Sequence, residues 1–85
     1  MAITVRFPAM LHDRAGSVMV IDEGGLTDVA ALMAALDRRV PGLAAELSDP
    51  IFNVAVNDDM LLHRVQVHPL SDGDVVEFVP TIAGG

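Results

Sequence analysis

Chemistry has few places to reside in this chain, and the most distinctive is its end, Ala83-Gly84-Gly85. Two terminal glycines carry no Cβ, so they can lie extended in a narrow channel that rejects bulkier residues and deliver a carboxylate to its far end. That carboxylate is unreactive as it stands. An activating enzyme must first convert it to a mixed anhydride with AMP, after which a thiol or persulfide sulfur displaces the nucleotide. The plainer reading is an ordinary terminus, since the last residues of most domains are poorly ordered and tolerate small side chains.

The other candidate groups point to structure. His12, His63 and His68 have neither the i, i+4 spacing nor the cysteine company of a zinc site, so no metal is expected. Asp58-Asp59 and Asp72-Gly73-Asp74 resemble calcium ligands only superficially, because neither continues into a loop with a bidentate glutamate. Turn chemistry accounts for both, with aspartate bonding nearby amides and glycine supplying positive φ. Gly24-Gly25 lacks the spacing of a phosphate loop, and the chain has no lysine to complete one. Ser17, Ser48 and Ser71 sit in turn-like segments without a glycine-framed elbow, and there is no cysteine nucleophile. The chain is therefore not expected to catalyse a reaction alone or to bind a cofactor.

Composition narrows the partners. A chain of 85 residues is one small domain, of a size that buries only about 60 to 65% of its unfolded surface. With 52% hydrophobic residues and no disulfide available, apolar packing must hold it together. The formal charge of −7, from twelve carboxylates against five arginines, repels phosphate backbones and argues against nucleic acid. It suits a partner with a basic surface. No apolar run approaches the roughly 20 residues that span a bilayer, and the start Met-Ala-Ile-Thr-Val-Arg lacks a signal pattern. A soluble cytoplasmic protein that binds no membrane is expected.

Ile3, Val5 and Phe7 alternate with Thr4 and Arg6, the period of a strand buried on one face, and Pro8 suits its end. After the polar stretch 12–16, Val18 to Ile21 reads as a second strand, joined to the first as an antiparallel hairpin. Val29, Leu32, Met33, Leu36 and Val40 repeat at helical spacing, which predicts a helix from Asp28 to Arg39 with Thr27 as its N-cap. Pro41-Gly42 ends it, and Leu43 to Leu47 adds a helical turn. Phe52 to Asn57 reads as a third strand, Asp58-Asp59 as a turn, Met60 to Leu62 or Val65 to Val67 as a short fourth, and Val75 to Val79 as the last. One helix across a mixed sheet of four to five strands is an α+β architecture of the β-grasp, ubiquitin-like kind. Its first and last strands pair in parallel at the centre. Residues 1–80 form the predicted domain and 81–85 a flexible tail.

These elements carry a resemblance. Val54-Ala55-Val56-Asn57, then Pro69-Leu70-Ser71-Asp72-Gly73-Asp74-Val75-Val76-Glu77-Phe78-Val79-Pro80, closing on Ala83-Gly84-Gly85, resembles the MoaD/ThiS sulfur carriers. The resemblance implies that Gly85 is adenylated by an E1-like enzyme of the MoeB type and converted to a thiocarboxylate, while Gly84, Ala83 and Ile82 thread into a partner's active site. In the MoaD branch, the closer one, that partner is the large subunit of molybdopterin synthase (MoaE type), and the sulfur builds the dithiolene of molybdopterin.

Strand parity then suggests a docking surface. If Ile3, Val5 and Phe7 face the helix, Pro8 points outward, and if Phe78 is in the core, Val79 lies outside beside it. The positions matching Pro8, Met60 and Val79 are bulky and apolar in the MoaD branch and contact both partner enzymes. Pro8 and Val79 depart from the aromatics usual there. The segments Phe7-Pro8-Ala9-Met10-Leu11 and Asn57-Asp58-Asp59 are also similar to carriers that serve cysteine synthesis. Carriers for thiamine or tRNA thiolation are further destinations. A ubiquitin-like interaction module or protein modifier, never thiolated, is the reading from another class.

Overall fold

In strand β1 (Ala2–Arg6), Ile3 and Val5 are fully buried while Arg6 is exposed, as the period-two pattern requires. The computed structural model describes residues 1–81, which run onward through a 3-10 turn (Ala9–Leu11), α1 (His12–Ala15), β2 (Val18–Asp22), α2 (Val29–Arg39) and α3 (Leu43–Leu47). They continue with β3 (Phe52–Val56), β4 (Asp59–Leu61), a 3-10 turn (Val65–Val67) and β5 (Val75–Pro80). The five strands form one sheet in the order β2-β1-β5-β3-β4. β1 pairs in parallel with β5, and every other pairing is antiparallel. This is the predicted β-grasp arrangement.

The β1–β2 connection is longer and more structured than a hairpin turn. Residues Ala9–Ala15 wind into nearly two helical turns because Leu11 and Ala15, four apart, both reach the core. Gly16 then leaves that helix at φ 77°, a conformation that costs other residues, and Phe7 N donates to Ser17 O as the chain returns.

Asp28, not Thr27, caps α2: its Oδ1 accepts from Ala31 N at 2.8 Å, while its own backbone stays extended at φ −151°. Starting the helix at Val29 places Val29, Leu32, Met33 and Leu36 on the sheet, with Ala35 also buried. At the other end Asp37 Oδ1 accepts from both Gly42 N and Ala44 N, so one carboxylate joins the end of α2 to the start of α3. Ion pairs from Arg14 to Glu46 and from Arg38 and Arg39 to Glu23 tie neighbouring segments across the surface.

The β3–β4 turn is Asn57-Asp58, one residue earlier than predicted. Both residues have positive φ, 50° and 71°, as in a two-residue type I′ hairpin. The strand that follows is Asp59–Leu61, and Val65–Val67, the other candidate, forms the 3-10 turn instead. Core packing joins both sheet halves: Ile3, Val5, Ile21, Val76 and Phe78 are at most 1% exposed, and the Phe7 and Phe78 rings stack at 6.2 Å.

Candidate functional site

The predicted chemistry lies at the end of β5, so the strand's anchoring comes first. β5 is central, bonded to β1 on one side and to β3 on the other. Pro80 pairs opposite Phe52, and Thr81 both donates from N to Ile51 O at 2.5 Å and from Oγ1 to the same oxygen at 3.0 Å. Residue 81 is thus held to the segment preceding β3. The predicted tail residues Ile82, Ala83, Gly84 and Gly85 lie outside the described residues.

The turn into β5 is equally well tied. Asp74 Oδ2 accepts from Ser71 N at 2.8 Å, and its Oδ1 accepts from Asn57 Nδ2 at 2.9 Å. Asn57 Oδ1 in turn accepts from Val75 N, and Asp72 Oδ1 accepts from Ala2 N. Gly73, at φ 89°, sends its amide to Ala2 O at 2.8 Å. Both aspartates are spent on backbone order, which is the turn role expected of them. No cluster of three or more histidine, aspartate or glutamate residues suited to a metal ion occurs among the described residues.

Along β5, Val76 and Phe78 point into the core, so Val75, Glu77 and Val79 face the side of the sheet not covered by α2. Register extends this face across all five strands. Met60 stands opposite Ala55, Ala55 opposite Glu77, Glu77 opposite Arg6, and Arg6 opposite Val18, a row running from β4 to β2. One step nearer the tail, Val79 pairs with Asn53, and Pro8 follows Arg6 by two residues, as Val79 follows Glu77. The three predicted contact residues therefore occupy this open face. Met60 is 43% exposed, whereas Pro8 and Val79 are half-buried.

Sequence reasoning did not single out Val18 and Val20, which are 52% and 54% exposed on the same face. In the run Val18-Met19-Val20-Ile21 every residue is apolar, so alternation was invisible, and only pairing with β1 shows that Ile21 is the inward one. Leu62, just past β4, is exposed to 77% near the same end of the sheet. Several carboxylates stand at the other end: Asp22 as the last residue of β2, Asp58 and Asp59 at the hairpin, Asp72 and Asp74 before β5. The tail thus leaves from the apolar end.

A groove of about 260 Å³ opens on the helix side, lined by Met33, Leu47, Pro50, Phe52, Leu61 and Val65 among others. Its one carboxylate, Asp49, accepts from Ile51 N at 2.9 Å, and it has no histidine beside it to form an acid–base pair. No helix among the described residues is long and apolar enough to cross a membrane.

Comparison with known proteins covers nearly the whole chain. A family model described as the ThiS family matches residues 5–85. The sulfur carrier protein CysO of Mycobacterium tuberculosis is 29% identical over 94 aligned positions, covering 100% of both chains. A chain in the crystal structure of the Amycolatopsis orientalis BexX/CysO complex superposes with a TM-score of 0.79 at 26% identity, over 98% of this chain and 99% of that one. A chain from the complex of subunits 1 and 2 of the Helicobacter pylori molybdopterin-converting factor superposes with a TM-score of 0.65 at 25% identity, over 100% of each.

Proposed function

The chain belongs to the ThiS family, a family of ubiquitin-like sulfur carriers, and on that premise we propose that Gly85 is the group that carries the sulfur. An E1-like enzyme of the MoeB type transfers AMP from ATP to the Gly85 carboxylate, releasing pyrophosphate. Sulfide, or a persulfide whose S–S bond a thiol then cleaves to leave a disulfide, displaces AMP, and the resulting thiocarboxylate is the form delivered to an acceptor enzyme. The observation that carries this reading is the anchoring of Thr81 to Ile51, which leaves four residues ending in Gly-Gly beyond a fixed base.

The open face beside that base suits docking. Pro8, Met60 and Val79 form its apolar part next to the tail, and the same surface must serve the activating enzyme and the acceptor in turn, because both need access to Gly85. Acceptor choice rests on the side chains there. Two of these positions hold Pro8 and Val79 instead of aromatics, and CysO matches over its full length, which supports a carrier feeding cysteine synthesis. Molybdopterin synthesis is the second reading, supported by the full-length superposition on a chain of the molybdopterin-converting factor complex.

The deciding measurement is the intact mass of the protein purified from its own cells. Replacement of one terminal oxygen by sulfur is the expected result. A carboxylate alone, together with isopeptide-linked adducts, would instead mark a modifier that is never thiolated. Titration of the thiocarboxylate form against each acceptor separates the destinations, with 1:1 binding and sulfur release expected for one. Deleting Gly85 should abolish transfer while leaving the fold intact.

A further inference from the structure

An activated acyl group is consumed by whatever nucleophile reaches it first, and the nearest candidates are on the carrier itself or on another copy. Amines convert an acyl-adenylate to an amide, with N–C bond formation, loss of AMP and release of a proton; thiols give a thioester by the same displacement. This chain has no lysine and no cysteine in 85 residues.

Its cationic needs are nonetheless real. Arg14 joins α1 to α3 through Glu46, and Arg38 and Arg39 hold Glu23 beside the end of α2. Lysine could serve each of these exposed pairs, yet all five cations are arginine. A guanidinium stays protonated and is not acylated under conditions where a fraction of lysine amines is free to attack. Histidine is a different matter, because an acyl-imidazole is reopened by water or by the next nucleophile and is no dead end. His12 also has Nε2 engaged with Phe7 O at 2.9 Å.

One acylatable amine remains, the α-amine of Met1, and the fold keeps it away. It lies 3.8 Å from Asp22 Oδ1, at the acidic end of the sheet. Because Thr4 pairs with Val75, Met1 sits level with Asp72, nine residues behind Thr81. At about 3.3 Å per residue that is a separation of roughly 25 to 30 Å. Four residues span at most about 14 Å whatever their conformation, so the tail cannot reach the amine of its own chain.

Resting on the sulfur-carrier reading above, we propose that this chain is built without the lysine and cysteine side chains that would trap an activated C-terminus, so that it forms no amide or thioester with itself and offers a second copy no side-chain amine or thiol. The carrier can be charged at high concentration and hold its activated end for an external sulfur nucleophile. Should the activated end meet lysines of other proteins, each would receive a single unit, since no unit offers a lysine for the next.

The test compares the wild type with Ile51→Lys, which puts an amine beside the Thr81 anchor, and with Asp13→Lys, an exposed site on α1. Each is incubated with the adenylating enzyme and ATP, without a sulfur source, and analysed by denaturing gel and intact mass. Pyrophosphate release reports activation, and added hydroxylamine traps the acyl-adenylate as a hydroxamate. Activation is expected in all three. Ile51→Lys should accumulate a monomer lighter by one water, the lariat amide, and Asp13→Lys should form amide-linked adducts within its own chain or as covalent dimers. The Ile51→Lys product should exceed any wild-type self-adduct by about tenfold or more, as proximity effects allow, and the Asp13→Lys adducts should exceed those of the wild type. Wild-type amide formation at the variants' rate overturns the proposal, as does failure of both variants to self-acylate while hydroxylamine traps the activated chain. Absence of pyrophosphate release from the wild type refutes the carrier reading instead, which keeps the two failures distinct.

Discussion

Neighbouring residues on β5 should behave oppositely when truncated, Phe78 through stability and Val79 through partner binding. Phe78 is 1% exposed, stacked on Phe7 and paired across from Val54. Replacing it with alanine opens a cavity at the junction of the sheet halves and costs about 3 to 5 kcal/mol. Total stability for 85 residues is about 4 to 13 kcal/mol at roughly 0.05 to 0.15 per residue. With a urea slope near 1 kcal/mol/M, the unfolding midpoint of Phe78→Ala should fall by about 3 to 5 M, enough to unfold a protein at the low end of that range. Val79 is half-buried on the open face, so Val79→Ala loses about half of two methylene equivalents, roughly 0.8 kcal/mol, and its midpoint should move by less than about 1 M. Affinity for the activating enzyme should drop in Val79→Ala with the fold intact. Circular dichroism against urea supplies the first measurement and titration of the partner the second. Equal destabilisation by the two substitutions would refute the facing assigned to β5, and an unchanged Val79→Ala affinity would remove that residue from the docking surface.

Three other substitutions probe separate links. Asp28→Ala removes the α2 cap, with an expected cost of about 1 kcal/mol in urea unfolding, whereas Thr27→Ala should change stability by less than half as much because Thr27 caps nothing. Met60→Glu places a charge in the apolar part of the open face and should weaken partner binding about tenfold or more, roughly 1.4 kcal/mol, with little change in melting temperature because the side chain is 43% exposed. Asp74→Ala removes the exposed hydrogen bonds from the Ser71 amide and the Asn57 side-chain amide, whose donors water can then serve, so it should destabilise by about 0.5 to 1.5 kcal/mol, read from the same unfolding curves.

Legibility of the sequence varied with how local the deciding contact was. The alternation in β1, the helical spacing from Val29 to Leu36 and the Asp72-Gly73-Asp74 turn each follow from nearest-neighbour geometry, and the structure matches them. Thr27 and Asp28 are both good N-cap residues; the choice fell to Asp28 because Val29, Leu32 and Leu36 must face the sheet together. The short helix 9–15 offers only Leu11 and Ala15 as a periodic pair, too few to distinguish it from a polar loop. Asn57 takes positive φ because its side chain bonds Val75 N and Asp74 across 18 and 17 residues, a tertiary fact absent from any local window. For the site, parity placed Val79 and Pro8 outside the core, while the membership of Val18 and Val20 in the same face needed the observed register.

The open face and the turns into β5 divide two demands that a small carrier must meet at once. A chain that buries so little surface needs its turns tightly bonded, and polar groups do that most effectively, which explains why Asp72, Asp74 and Asn57 are engaged with backbone amides at the end remote from the tail. A partner that admits Gly84-Gly85 must instead cover the surface around Thr81, and buried unpaired carboxylates there would oppose docking. Arg6 and Glu77 are the charged pair of positions in the central row, and they stand opposite each other, so that row brings no net charge to a partner. Much of the formal charge of −7 comes from the far end, where Asp22, Asp58, Asp59, Asp72 and Asp74 stand. It keeps copies of the carrier apart in solution without adding to the desolvation cost of the face that must be buried.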